Sequence, residues 1–239
     1  QLDGYAWLAL LAEHGLSGCL ADDMGLGKTV QALALMLKLL NCPQDGRSRE
    51  DVPVPGGFLV VAPVSTLGNW EREAARFAPD LKTRVHHGPG RCSAAGELAM
   101  HDLVVTSYAT AVRDAAVLET VEWRLLVLDE AQFIKNPHAR TSRRLKTLPS
   151  RLRLCLTGTP VENVTADLWS IMDFLVPGLL GSLASFSRRF PKRNLTDSDD
   201  EARRLERLRR IVSPFLLRRT KEAVAPELPA RIETVLSCE

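Results

Sequence analysis

Cysteine is scarce and scattered in this chain. Cys19, Cys42, Cys92, Cys155 and Cys238 form an odd set at wide spacing, with no C-x-x-C pair. That pattern argues against both a disulfide framework and a zinc site, and it fits a reducing cytosolic compartment. Long apolar runs are missing as well. The longest candidate, Val30 to Leu40, is interrupted by Lys38 and is far short of the ~20 residues that span a bilayer, so no membrane is expected as a partner. No signal peptide, internal repeat or low-complexity tract is visible. Residue 1 is Gln rather than Met, and the chain stops at Glu239 within an apolar–polar alternation. The expectation is an excised piece of something longer.

What is present is ordinary in amount and uneven in distribution. A hydrophobic content of 45% and a charged content of 25% over 239 residues describe a globular protein of one large or two small domains. The net charge is only +2, yet residues 182–221 hold 12 Lys/Arg against 5 Asp/Glu, and the rest of the chain holds 19 against 24. A basic tail segment on a mildly acidic body points toward a polyanion partner. Within it, Asp199 to Val212 spells a helix with Leu205, Leu208, Ile211 and Val212 on one side and Arg203, Arg204, Arg207, Arg209 and Arg210 on the others. Such a face is either simply solvated or touches nucleic-acid phosphates, contacts that carry no base information.

The most informative stretch is Ala21-Asp22-Asp23-Met24-Gly25-Leu26-Gly27-Lys28-Thr29. A short apolar run precedes it and a long one follows, the strand–loop–helix layout of a phosphate cradle. Gly25 and Gly27 let the backbone approach a ligand closely. The amides opening the next helix face an anion. Lys28 is placed to reach the β and γ phosphates of a nucleotide, and Thr29 to ligate Mg²⁺. Asp22 occupies the position where the usual pattern has its first glycine.

Downstream, Phe58–Ala62, Thr83–His87, Leu103–Thr106, Leu125–Leu128 and Leu154–Thr157 read as strands separated by helical segments, including one from Ser65 to about Phe77 and one between Pro137 and Leu148. That alternation predicts an α/β fold with a mainly parallel sheet covered on both faces. Asn41 to Gly57, rich in Pro and Gly, reads as a surface loop. Asp129 and Glu130 close an apolar strand, and ligands of parallel sheets bind beyond the strands' carboxyl ends. Asp129 is a candidate Mg²⁺ holder and Glu130 a candidate for orienting or deprotonating an attacking water. Thr157-Gly158-Thr159-Pro160 is a third strand end, either a plain turn or a pair of hydroxyls aimed at those acids or at the γ-phosphate. Trp70 and Trp169 read as packing residues rather than stacking platforms.

These motifs together resemble those of the Swi/Snf-type ATPases, superfamily-two helicase-like proteins that translocate on double-stranded DNA. The resemblance covers nearly the whole chain. Gln1-Leu2-Asp3-Gly4 with Trp7-Leu8 is similar to the family's adenine-reading segment. Leu20 to Gln31 is similar to its phosphate loop, Asp22 included. Val61-Ala62-Pro63-Val64-Ser65 with Asn69-Trp70, Val105-Thr106-Ser107-Tyr108, and Asp129-Glu130-Ala131-Gln132 with Ile134-Lys135-Asn136 resemble the motifs that follow. The most specific stretch runs from Leu156 to Asn163, then Leu168-Trp169 and Pro177 to Gly181. Pro214 to Lys221 and Glu227-Leu228-Pro229 resemble the passage toward a second lobe.

The resemblance implies a three-layer RecA-like P-loop domain over residues 1–181 and a basic helical extension over residues 182–239, with ATP held between this lobe and a second that supplies arginine fingers. It implies ATP and Mg²⁺ as cofactors. It assigns Gln1, Met24, Gly25, Leu26, Gly27, Lys28 and Thr29 to the nucleotide, Thr29 and Asp129 to the metal, Lys28 and Glu130 to catalysis, and Gln132, Thr157, Gly158 and Thr159 to coupling. Ser65, Asn69, Thr106, Ser107 and Lys135 are its candidates for contacts with the phosphate backbone of duplex DNA, although each could equally be a helix cap. A nucleoprotein or polymerase target is expected, in the cytoplasm or nucleoid of a bacterium, the favoured source, or in a nucleus. A P-loop phosphotransferase and a catalytically silent regulatory lobe are the alternatives.

Overall fold

The computed structural model describes residues 1–41, 56–91, 94–158, 166–190 and 198–224. Its centre is a seven-stranded sheet of β1 (Gly18–Leu20), β2 (Phe58–Ala62), β3 (Thr83–His86), β4 (Leu103–Ser107), β5 (Trp123–Asp129), β6 (Ser150–Leu156) and β7 (Leu216–Leu217). The spatial order is β3-β4-β2-β5-β6-β1-β7. Every neighbouring pair is parallel, so all strands end at the same edge. From β1, next to last in that order, the chain crosses past β6 and β5 to reach β2, and ligands of parallel sheets bind beyond the carboxyl ends of such strands.

Side chains that alternate along each strand divide the interior into two layers, as a pleat requires. From β2 and β5, Phe58, Val60, Ala62, Leu125 and Val127 join one cluster with Leu8, Leu33, Met36 and Trp70. These come from α1 (Leu2–Glu13), α2 (Lys28–Asn41) and α3 (Leu67–Phe77). Leu59, Val61, Leu126 and Leu128 face the other way, onto Leu145, Ile171, Phe174 and Phe186 of the helices Arg140–Thr147, Ala166–Leu175 and Leu183–Arg189. Strands buried on both faces explain their near-continuous apolar runs. Each fully buried Leu, Val or Phe adds roughly 1.5–3 kcal/mol over leaving it in water.

Residues 182–190 and 202–217 share this core. Phe186, Phe190, Leu208 and Val212 belong to the second cluster, and β7 extends the sheet beside β1. The dipeptide Leu216-Leu217 is too short to show a strand period, so pattern reading assigned no strand there. A further difference is small. β5 and β6 begin two and four residues before their apolar runs, because Trp123↔Ser150 already pair in the ladder. On α1 the buried residues are Gly4, Leu8, Ala9 and Leu11, while Leu2 in its first turn is exposed. The expected loop from residue 42 to 55 lies outside the described residues. Among the described residues, no helix is long and apolar enough to cross a membrane.

Candidate active site

The loop from Ala21 to Gly27 joins β1 to α2. Gly25 and Gly27 adopt φ of 88° and 78°, values open to glycine and strained for other residues. A Cβ on Gly27 would lie 2.4 Å from Gln1 Nε2, so the side chain of Gln1 rests against the loop. Met24 is exposed and covers Gly158, where a Cβ would meet Met24 Cγ at 2.8 Å and Lys28 Nζ at 3.6 Å. The loop's tip therefore reaches across from the end of β1 to the end of β6.

Lys28 is the first residue of α2. Its ammonium donates to the carbonyl oxygens of Asp22 (2.7 Å) and Asp23 (3.2 Å). Burial holds its pKa below the ordinary lysine value, and the negative charges of Glu130, Asp22, Asp129 and Asp23 oppose that fall. Lys28 and the acids of β5, about a hundred residues apart in sequence, thus act on one another across the site. Thr29 is half-buried at the loop–helix junction.

Asp129 ends β5. Its Oδ2 accepts from Trp70 Nε1 at 2.9 Å and its Oδ1 from the Glu130 amide at 3.0 Å. Burial raises its carboxyl pKa, with the Trp70 hydrogen bond pulling the other way. Tyr108 donates to the Asp129 carbonyl at 2.7 Å and stacks on Phe133, ring centroids 4.8 Å apart. Glu130 itself sits at φ 51°, a left-handed conformation that costs a non-glycine residue of order 1–3 kcal/mol. That turn directs the two consecutive carboxylates differently. Glu130 Oε2 accepts from Gln132 Nε2 at 2.8 Å, and Gln132 Oε1 accepts from Thr157 Oγ1 at 3.1 Å. A polar relay therefore runs from the acid of β5 to the end of β6.

Of the expected site residues, Gln1, Met24, Gly25, Gly27, Lys28, Thr29, Asp129, Glu130, Gln132, Thr157 and Gly158 gather at this strand edge. Leu26 contributes its carbonyl, which accepts from Gln31 Nε2 at 3.2 Å. Thr159 lies outside the described residues. The candidates for DNA contact divide. Ser65 and Lys135 are exposed and Asn69 is half-exposed, with its Nδ2 donating to Glu73 at 2.8 Å. Thr106 and Ser107 are buried. Thr106 donates to the His86 carbonyl at 2.8 Å, and Ser107 caps the helix Tyr108–Arg113 by accepting from the Thr110 amide. Both side chains are therefore engaged inside the fold: Ser107 takes the capping role open to it, and Thr106 ties β4 to β3.

Three participants escaped pattern reading. Trp70 is in the core, as expected, but its indole N–H also serves Asp129. Tyr108 fixes the Asp129 peptide. Arg219 reaches the phosphate loop: its amide donates to Asp22 Oδ1 at 2.9 Å and its Nη2 to Asp22 Oδ2 at 2.5 Å. The available signal for Arg219 was Asp22 itself, since an acid replacing a loop glycine needs a cation if it is buried.

The SNF2-related domain family matches residues 1–239. YwqA of Bacillus subtilis (strain 168), provisionally named an ATP-dependent helicase/translocase, is 43% identical over 239 residues, covering 98% of this chain and 25% of that protein. The lymphoid-specific helicase of Homo sapiens is 39% identical over 252 residues, covering 99% of this chain and 29% of that protein. Among solved structures, the Sulfolobus solfataricus SWI2/SNF2 ATPase core in complex with dsDNA is 42% identical with a TM-score of 0.78, over 93% of this chain and 44% of that one. The chain therefore spans between a quarter and a third of these curated relatives.

Proposed function

The chain belongs to the SNF2-related domain family, and from that premise we propose that it is the ATP-binding lobe of an ATP-dependent motor that moves on double-stranded DNA. The observation that carries this reading is the meeting of Lys28 with Asp129 and Glu130 at the ends of β1 and β5, close enough for their charges to shift the lysine's proton affinity. Cation and acids around one glycine-lined loop are what nucleotide hydrolysis needs.

In this reading Lys28 leaves the Asp22 and Asp23 carbonyls for the β and γ phosphates, and Gln1 lies beside the adenine. Thr29 and Asp129 hold Mg²⁺, Glu130 orients the attacking water, and Gln132, Thr157, Gly158 and Thr159 couple the site to movement. Mg²⁺, when bound, neutralises phosphate charge during transfer. The residues present fit it. Among the described residues no cluster of three or more His, Cys, Asp or Glu forms a metal cage, and a Mg²⁺ bound largely by phosphates and water needs only one or two protein carboxylates.

Ser65, Asn69 and Lys135 are the proposed contacts to the DNA backbone; the solved Sulfolobus relative is a complex with dsDNA, which supports that partner. Residues 182–239 are proposed as the passage toward a second RecA-like lobe that brings the arginine fingers, and the motor's target as a nucleoprotein or polymerase complex in a nucleoid or nucleus. ATP hydrolysis with and without duplex DNA, by this chain and by a two-lobe protein containing it, tests the reading. The expected result is weak ATP binding and very slow turnover by this chain, with strong DNA stimulation only when both lobes are present. Equal DNA-stimulated turnover by the single lobe contradicts that division of labour. ATP consumption that requires a small acceptor instead of DNA indicates a phosphotransferase, and no hydrolysis in either form indicates a silent regulatory lobe.

A further inference from the structure

We propose that Arg219 is a positioning residue for the phosphate loop, and that through Asp22 it links nucleotide affinity to the segment leaving the lobe. This rests on the reading of the Lys28 loop as a triphosphate site. Residues 216–221 run along residues 21–23 from end to end. The Ala21 amide donates to the Leu217 carbonyl at 2.7 Å, and the Asp23 amide to the Arg219 carbonyl at 3.1 Å. The Lys221 amide donates to Asp23 Oδ2 at 3.0 Å. Between these, Arg219 gives Asp22 three hydrogen bonds, from its amide (2.9 Å), Nε (3.2 Å) and Nη2 (2.5 Å).

The Asp22 side chain is fully buried and that of Arg219 is 18% exposed, so the pair is a two-pronged, charge-assisted contact shielded from water. Its hydrogen bond with Asp22 holds the guanidinium's pKa above the ordinary arginine value. The same Nη2 donates to Gln31 Oε1 at 3.0 Å. Gln31 Nε2 in turn donates to the carbonyls of Leu26 and Gly27, both at 3.2 Å. One guanidinium therefore braces both limbs of the loop, residues 22–23 directly and residues 26–27 through Gln31.

The peptides it braces are those that receive Lys28. When a triphosphate draws the ammonium away, the Asp22 and Asp23 carbonyls lose their donor, and Arg219 keeps that limb from collapsing. Asp22 thus stands at the first glycine position of the loop because its carboxylate turns inward to a built partner, away from the ligand side. Coupling of this kind is reciprocal: a triphosphate in the loop must steady residues 216–221, and displacement of that segment must weaken the triphosphate.

The test is equilibrium binding of a fluorescent ATP analogue with Mg²⁺ to the wild-type chain, Arg219→Gln, Arg219→Lys, Asp22→Asn, the double variant Asp22→Asn/Arg219→Gln, and Lys28→Ala. Backbone hydrogen exchange at residues 216–221 is followed alongside. Loss of hydrogen bonds to a charged partner predicts about tenfold or greater weakening for Arg219→Gln, a smaller loss for Arg219→Lys, and a double variant no weaker than the worse single one. Nucleotide is expected to slow exchange at 216–221 in the wild type and not in Asp22→Asn. Arg219→Lys, which keeps the charge and a donor, covers the case in which the Gln variant does not fold. If Lys28→Ala abolishes binding while the Arg219 variants bind within twofold of wild type, or if nucleotide leaves exchange at 216–221 unchanged, the proposal is overturned. If the wild type does not bind, or Lys28→Ala binds as well as wild type, it is the triphosphate reading that fails.

Discussion

Asp129 serves two opposed demands. In the proposed reading it must be ionised to hold a cation, yet burial raises its pKa above the ordinary carboxylate value; the indole N–H of Trp70 at 2.9 Å is the strongest of the groups that counter this, ahead of the Glu130 amide and Lys28. Because the folded-state pKa is raised, protonation favours the fold: the stability it contributes is fully present below the unfolded pKa and is lost as pH rises through the folded one. Ligand binding runs the other way and is lost as pH falls. Trp70→Phe keeps most of the packing and removes the donor, so the folded-state pKa climbs further. The acid limb of Mg²⁺-dependent ATP binding is expected to move to higher pH, with little change at pH 8. A titration of affinity against pH in both proteins measures it, and superimposable limbs would remove Trp70 from the site.

Glu130 makes the companion case. Its left-handed backbone and its bond to Gln132 set a carboxylate that the nucleotide-holding residues do not need. Glu130→Gln is expected to bind ATP within about threefold of wild type while losing two or more orders of magnitude in hydrolysis by the two-lobe protein, the loss typical of removing a positioned proton acceptor. A matching loss of binding would place Glu130 in the cradle instead.

At the scale of elements, Arg153 joins three of them. From β6 it donates to the carbonyls of Phe174 (2.8 Å), Lys146 (3.0 Å) and Leu148 (3.3 Å), which close two helices on the second face of the sheet. Its guanidinium also lies 5.0 Å from the centroid of the Phe174 ring. Arg153→Ala strands part-buried acceptors at about 1–3 kcal/mol each, so chemical denaturation is expected to show a loss of about 3 kcal/mol. The strand edge carrying Lys28 and Asp129 is on the far end of β6, and ATP affinity of the folded protein is expected to stay within twofold.

Elements of this kind were legible in the sequence to different degrees. β2 matches its expected bounds because Pro63 and its apolar run mark a strand, and α3 matches its expected C-terminal end because Trp70 and Ala74 lie four apart on one buried face, although it begins at Leu67, after a tighter turn over Val64–Thr66. The convergence of the glycine-bearing loop and the acid pair on one strand edge was legible because a lysine after a glycine turn and acids closing an apolar strand both mark the carboxyl ends of parallel strands. β7 was not, since two leucines have no period. Arg219 was not, since its partner is 197 residues away. The burial of Thr106 and Ser107 was not legible either, since burial of a strand end depends on the helix that follows it.

Among the described residues the molecule is one sheet with two apolar layers, and the groups proposed to meet ATP gather at its carboxyl edge. On that account hydrolysis by this lobe alone stays at a basal level, and the transition-state charge is met by arginines from elsewhere, an effect worth about 10³–10⁵ in rate in other nucleotide hydrolases. The most direct measurement of the central claim is calorimetric titration of ATP, with and without Mg²⁺, into the wild type, Lys28→Ala and Asp129→Asn. The account predicts no binding by Lys28→Ala, and retained metal-free binding by Asp129→Asn with the Mg²⁺-dependent gain in affinity gone. A full Mg²⁺-dependent gain in Asp129→Asn, or undiminished binding by Lys28→Ala, would contradict a shared triphosphate site.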